Sequence, residues 1–229
     1  MSDIKKLFKE DIIPTLTDFI DNQLVFWNAF EENKVLNCPI KNVLELGVYR
    51  LDYDKKSLFP GQSTKTLMAL SQKYNIDKFV SLDIDDCSIT IDNCKKWLLQ
   101  YGFVPQNHSF IQCNSVHFDI IKEFPNGIDF IFLDTNHDDN FPERIGYKDA
   151  GGAGMTYKEI SYYAPHLSIN GRLFIHDTKT YYVEKAYGVN TDGAIEKFIN
   201  ENSEFDFHEH NTNIYGLGEI FRKDSLIKY

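Results

Sequence analysis

Short apolar runs alternate with longer amphipathic stretches along most of this chain. That alternation restricts the fold more than any other feature, because parallel strands buried on both faces need crossover helices to connect them. The pattern predicts strands at Asn42–Gly47, Phe79–Ile84, Ser109–Cys113, Ile128–Asp134 and Arg172–His176. Between them it predicts helices at Ser63–Tyr74, Ser88–Tyr101, Val116–Phe124 and Met155–Ala164. In the second of these, Ile91, Cys94, Trp97, Leu98 and Tyr101 share one face. A helix at Asp192–Asn200 and two strands, Phe205–His210 and Ile214–Phe221, joined through Asn-Thr-Asn, close the chain. The expected fold class is α/β: a doubly wound, mostly parallel seven-stranded sheet with helices on both faces and an antiparallel edge strand. Ahead of it, Leu7, Phe8, Ile12, Leu16, Phe19, Ile20, Leu24, Trp27 and Phe30 recur at helical spacing around Pro14, which reads as a two-piece helical cap over residues 1–39. Residues 40–229 then form one domain.

Composition narrows the function. A chain of 229 residues, 42% hydrophobic, can build one core without disulfides. A formal net charge of −10 with scattered basic residues supplies no surface for a phosphate backbone, so nucleic acid is not expected as a partner. Cys38, Cys87, Cys94 and Cys113 show neither a C-x-x-C pair nor zinc spacing, and read as reduced thiols of a cytoplasmic protein. The opening Met-Ser-Asp-Ile-Lys-Lys leads into an amphipathic stretch, and no long apolar run follows, so neither secretion nor a membrane partner is expected. The apolar N-terminal helices can serve as a domain cap or as a dimer surface, which leaves a homo-oligomer open.

The first strand ends in Glu45-Leu46-Gly47, and a helix starts just after Gly61-Gln62-Ser63-Thr64. Glycine at such a turn allows a ligand against bare backbone, and the helix start offers unpaired N–H groups to an anionic ligand group. About twenty residues past Gly61, the second strand ends in Ser81-Leu82-Asp83-Ile84-Asp85, where a carboxylate can accept both hydroxyls of a ribose. Together these pieces imply an adenosine-containing ligand held by Glu45, Gly47, Gly61, Ser63, Thr64 and Asp83, with Asn114 and Ser115 past the third strand as further contacts. A strand end containing glycine can also be only a tight turn; the acid closing the second strand favours the ligand.

Glu-Leu-Gly-Val followed by Gly-Gln-Ser-Thr resembles motif I of class I S-adenosylmethionine-dependent methyltransferases, whose fold is Rossmann-like. The resemblance spans roughly residues 40–221. Asp83 matches the ribose-binding acid of that class, Ile128–Asp134 its fourth strand, and Leu167–Asp177 its L-x-P-G-G turn and fifth strand. One departure is an insertion of about ten residues, Leu51 to Pro60, between the halves of motif I, which can form a flap over the methionine end or remodel the turn. G-x-G-x-x-G is absent, which disfavours a nicotinamide enzyme.

Ligands in open α/β sheets lie outside the carboxyl ends of the strands, and there Asp83, the run Asp134-Thr-Asn-His137 and the pair His176-Asp177 converge by topology. Methyl transfer to a hydroxyl needs in-line placement and removal of the hydroxyl proton. Carboxylates with a hard divalent cation can lower the hydroxyl pKa, and Asp134 and Asp177 are donors of the kind magnesium prefers. Asp134-x-x-His137 with a later His-Asp is similar to magnesium-dependent sugar and natural-product O-methyltransferases. The resemblance implies metal on Asp134 and Asp177, His137 as the base, S-adenosylmethionine as cofactor, and a small polar metabolite as substrate; His176 joins the expected metal set by its place beside Asp177. His176 departs from the acidic residue common in those relatives, and a neutral imidazole suits a transition metal better than magnesium. Asp134 can instead cap its loop, and His176 and Asp177 can be a hydrogen-bonded pair.

The polar, glycine-containing stretch from Thr135 to Gly154 reads as a substrate lid, and Thr178 to Asn190, with Tyr181, Tyr182 and Tyr187, as a second pocket wall. His208 and His210 alternate on a predicted strand and read as a solvated face. The sequence thus points to an O-methyltransferase; a catalytically silent adenosyl-binding module and an NAD-dependent oxidoreductase are the rival readings.

Overall fold

In the computed structural model, residues 17–48, 62–135, 152–176, 178, 191–212 and 216–229 are described. Within them the elements run α1 (Thr17–Val35), β1 (Asn42–Leu46), α2 (Gln62–Tyr74), β2 (Lys78–Asp83), α3 (Ser88–Gln100), β3 (His108–Gln112), α4 (Ile120–Glu123), β4 (Ile128–Leu133), α5 (Gly152–Tyr163), β5 (Leu167–His176), α6 (Thr191–Glu201), β6 (Phe205–His210) and β7 (Leu217–Arg222). The seven strands form one sheet in the order β3-β2-β1-β4-β5-β7-β6. β1 pairs in parallel with both β2 and β4, so the strand order reverses beside β1 and opens a crevice at its carboxyl end. The closing pair is antiparallel, as the sequence suggests; β7 is the strand that reverses, and it sits between β5 and β6.

Strand alternation sends neighbouring residues into two cores. Val43, Phe79, Phe130 and Phe174 face α1, α2 and α3, while Leu44, Val80, Ile131 and Leu173 face α5 and α6. In the first core the Phe26 ring of α1 meets Phe130, Phe132 and Phe174 at centroid distances of 5.3, 4.9 and 5.4 Å. The described part of the expected cap is therefore integral to the sheet's packing. It also reaches a buried cation: Arg172 donates to Asn33 at 2.9 Å and Glu32 at 2.6 Å on α1, and to fully buried Glu219 at 3.1 Å on β7. A guanidinium this enclosed persists only because its donors are matched.

Three expectations are corrected. The helix over Val116–Phe124 is broken into a 3-10 turn, Ser115–His117, and the single-turn α4, because Asn114 caps Val116 and Asp119 caps Lys122 while Phe118 between them is extended. β5 starts at Leu167, not Arg172: Leu167 pairs with Ile128 across a bulge, and a side chain at Gly171 would stand 2.7 Å from the Ile128 carbonyl. β7 is described from Leu217 on, and its expected start, Ile214, lies outside the described residues. His208 and His210 are not a solvated face, since the His208 ring stacks on Tyr229 at 3.8 Å and His210 Nε2 lies 2.7 Å from Glu219. The four cysteines are all free, and among the described residues no helix is long and apolar enough to cross a membrane.

Candidate functional site

The crevice is built around Gly47. Its backbone has φ of +86°, and a Cβ there would stand 2.1 Å from the carbonyl oxygen of Asp134. A side chain is excluded by conformation and by space, so the turn after β1 can lie directly against the end of β4. Gly47 N–H donates to Leu82 at 2.9 Å and Asp134 N–H to Leu46 at 2.8 Å, which fixes the ends of β1, β2 and β4 together. Asp83, 7% exposed, closes β2; its carboxylate accepts from Val48 N–H and Asp85 N–H, each at 2.9 Å.

Glu45 lies beneath this surface and is fully buried. It accepts from Ser63 at 2.7 Å, from Thr64 at 3.0 and 2.9 Å, and from Ser81 at 2.6 Å. Burial pushes its carboxyl up to about 7 against the opposing effect of these hydroxyls. Each hydroxyl has one proton, so those of Ser63 and Thr64 are directed at Glu45, and Thr64 is itself fully buried. Of this part of the expected cofactor set, Gly47 and Asp83 line the turn, while Glu45, Ser63 and Thr64 form the support that holds the start of α2 against β1 and β2. The chain of contacts continues to β3, where His108 Nε2 lies 2.9 Å from Ser81 Oγ and burial pushes the imidazole down to about 3.

Asn114 and Ser115 follow β3. The Asn114 side chain accepts from Val116 N–H at 3.2 Å, and Ser115 Oγ donates to Glu159 of α5 at 2.5 Å. Glu159, fully buried and pushed up to about 7 by that burial, also accepts from Thr135 at 2.7 Å. The sequence pattern assigns no role to Glu159, Ser81 or His108. The available signal was a carboxylate inside the apolar stripe Met155, Ile160, Tyr163 of a predicted helix, and a serine inside an apolar strand.

At the end of β4, Asp134 Oδ1 lies 3.1 Å from His176 Nδ1 at the end of β5. The structure thus brings together two of the residues expected to hold metal. His137, Asp177, Gly61, the insertion from Leu51 to Pro60 and all but the ends of the two expected pocket loops lie outside the described residues. Of the expected metal set only Asp134 and His176 can be compared with the near-octahedral oxygen ligands of magnesium, and the imidazole of that pair does not suit it; among the described residues no group of three His, Cys, Asp or Glu can hold a metal ion.

No family model matches the chain, and no curated protein matches it by sequence. Solved structures share its fold. Cofactor-bound Rv0187 from MTB is 10% identical, with 97% of this chain and 88% of that one covered at a TM-score of 0.58. A protein described as an rRNA methylase from Clostridium thermocellum is 14% identical over 84% of this chain and 95% of its own, at a TM-score of 0.52. MycE methyltransferase of the mycinamycin biosynthetic pathway, in complex with Mg and SAH, is 15% identical at a TM-score of 0.55; 90% of this chain is covered, but it spans only 51% of MycE. At such identities the likeness is one of fold. That fold, with its order reversal beside β1 and its acid closing β2, is the Rossmann-like fold of class I S-adenosylmethionine-dependent methyltransferases.

Proposed function

We propose that this chain is an S-adenosylmethionine-dependent O-methyltransferase acting on a small polar metabolite such as a sugar or a glycosylated or polyhydroxylated product. The observation that carries the reading is Asp83: its carboxylate is fixed by two backbone N–H groups beside a glycine turn, at the place in this fold where a ribose is held. The cofactor supplies an electrophilic methyl group. The chain's own part is to bind its adenosyl portion through Asp83, the Gly47 turn and Asn114, and to bring an acceptor hydroxyl into line.

His137 is the proposed base, three positions past Asp134. The bond between Asp134 and His176 favours a hydrogen-bonded pair at the head of the chemical site over a magnesium ligand set, and the reading uses no metal. The net charge of −10 supports a small acceptor over RNA.

Calorimetric titration with S-adenosylhomocysteine and, separately, with NAD tests the reading. Binding of the first alone, lost in Asp83→Ala, is expected. Binding of NAD alone, or of neither, overturns it. His137→Ala should abolish turnover of hydroxylated acceptors and spare cofactor affinity; unchanged turnover removes the base assignment.

A further inference from the structure

Burying an ionisable side chain is unfavourable, and an apolar residue would complete the stripe of α5. Glu159 is nevertheless fully buried between Met155, Ile160 and Tyr163, which are themselves buried. What the carboxyl provides is two acceptors facing different loops. Oε1 takes the hydroxyl of Ser115, after β3, at 2.5 Å, and Oε2 takes that of Thr135, after β4, at 2.7 Å. Each donor directly follows a residue of the crevice, Asn114 in one loop and Asp134 in the other. The same helix holds the first loop twice more: Tyr163 donates to the Ser115 carbonyl, and Tyr162 to that of Phe118 at 2.7 Å.

We propose that Glu159 is a positioning residue, a latch that ties the loop after β3 to the loop after β4, so that the cofactor wall and the chemical wall of the crevice are set as one unit. The latch itself is a property of the unliganded protein. Its consequence for cofactor binding rests on the methyltransferase reading.

Amide hydrogen exchange on the protein without ligand tests the tie. Ser115→Ala is expected to speed exchange about tenfold in residues 133–135, and Thr135→Val to do the same in residues 113–118, the equivalent of one lost hydrogen bond felt across the latch. Changes confined to the loop that carries the substitution would overturn the proposal. A second measurement separates positioning from folding. Glu159→Leu is expected to keep or raise the melting temperature while weakening S-adenosylhomocysteine binding about tenfold, and Glu159→Gln to stay within roughly threefold of the parent protein. Affinity that merely follows melting temperature through the series overturns the latch. If the parent protein binds no S-adenosylhomocysteine, the methyltransferase reading fails and the exchange data still decide the latch. If Glu159→Leu does not fold, the two hydroxyl variants decide it alone.

Discussion

The two halves of the crevice are built on opposite plans. At the ends of β1 and β2 two acids are anchored within the protein: Glu45 by three hydroxyls and Asp83 by backbone N–H groups. At the ends of β4 and β5, Asp134 meets the imidazole of His176 at 3.1 Å, and its side chain is 27% exposed. The first plan fixes one geometry before any ligand arrives, which suits a ligand whose adenosyl portion does not vary. From the second the chain runs on into the two expected pocket loops, and loops are where proteins of one fold differ in chemistry.

Gly47→Ala should break the contrast hardest, because Gly47 is the seam between the halves. The added methyl would meet the Asp134 carbonyl and strain a backbone at φ of +86°, so stability should fall by roughly 4 kcal/mol and cofactor binding should vanish. Chemical denaturation measures the first effect and calorimetry the second. A loss below about 1 kcal/mol would mean that the turn moves freely past β4.

Asp83→Ala comes next and acts on one half only. Two ribose hydroxyl bonds to a charged acceptor, each worth about 1.5 kcal/mol, correspond to a loss of about 100-fold in S-adenosylhomocysteine affinity. Asp134→Ala should change that affinity less than about threefold while removing turnover, since its carboxylate faces His176 and not the β2 end. Equal losses from the two substitutions would erase the distinction between the halves.

Buried carboxyls give the comparison a pH dependence. Glu45 and Glu159 have carboxyls pushed from an ordinary 4.5 up to about 7, so the folded state binds a proton more tightly than the unfolded chain does. Stability from this source is complete below pH 4.5 and is lost as pH rises through 7. Glutamine at either position has no proton to lose. Denaturation midpoints of the parent protein and of Glu45→Gln or Glu159→Gln, compared from pH 5 to 8, should converge or cross, with the parent losing on the order of 2 kcal/mol per carboxyl relative to the variant. Parallel curves would place a charged carboxylate in each support at neutral pH.

The sheet could be read from sequence because burial on both faces writes itself as apolar runs, and each run from Val43 to Ile175 took its expected place between helices. The candidate site was legible in its placement where a residue stands at a strand end, as with Gly47 and Asp83. It was not legible where a polar side chain finds a partner far along the chain. Ser63 and Thr64 at a helix start can face a ligand or a buried acid, and only the packing of α2 on β1 directs them to Glu45. Glu159 meets partners 44 and 24 residues away, and His210 meets Glu219 only because β7 folds back beside β6. The broken helix at Phe118 is a local failure of a different kind: two caps, Asn114 and Asp119, outweigh an apolar periodicity.

The smallest effect is expected from magnesium, and it is the sharpest statement about the chemical half. Magnesium binds at about 2.0–2.1 Å to a near-octahedral set of oxygens and retains waters reluctant to leave. Asp134 Oδ1 is instead within hydrogen-bond distance of an imidazole nitrogen, a donor that suits a transition metal better. Adding millimolar magnesium, or removing metal with a chelator, should therefore move the melting temperature by less than about 1 °C, since a ligand that does not bind the folded state adds no stability. A shift of several degrees on magnesium, abolished in Asp134→Ala, would require the Asp134 to His176 bond to open and the head of the site to be a metal centre. The chemical half would then be as firmly anchored as the cofactor half, with a cation doing there what hydroxyls and backbone N–H groups do around Glu45 and Asp83.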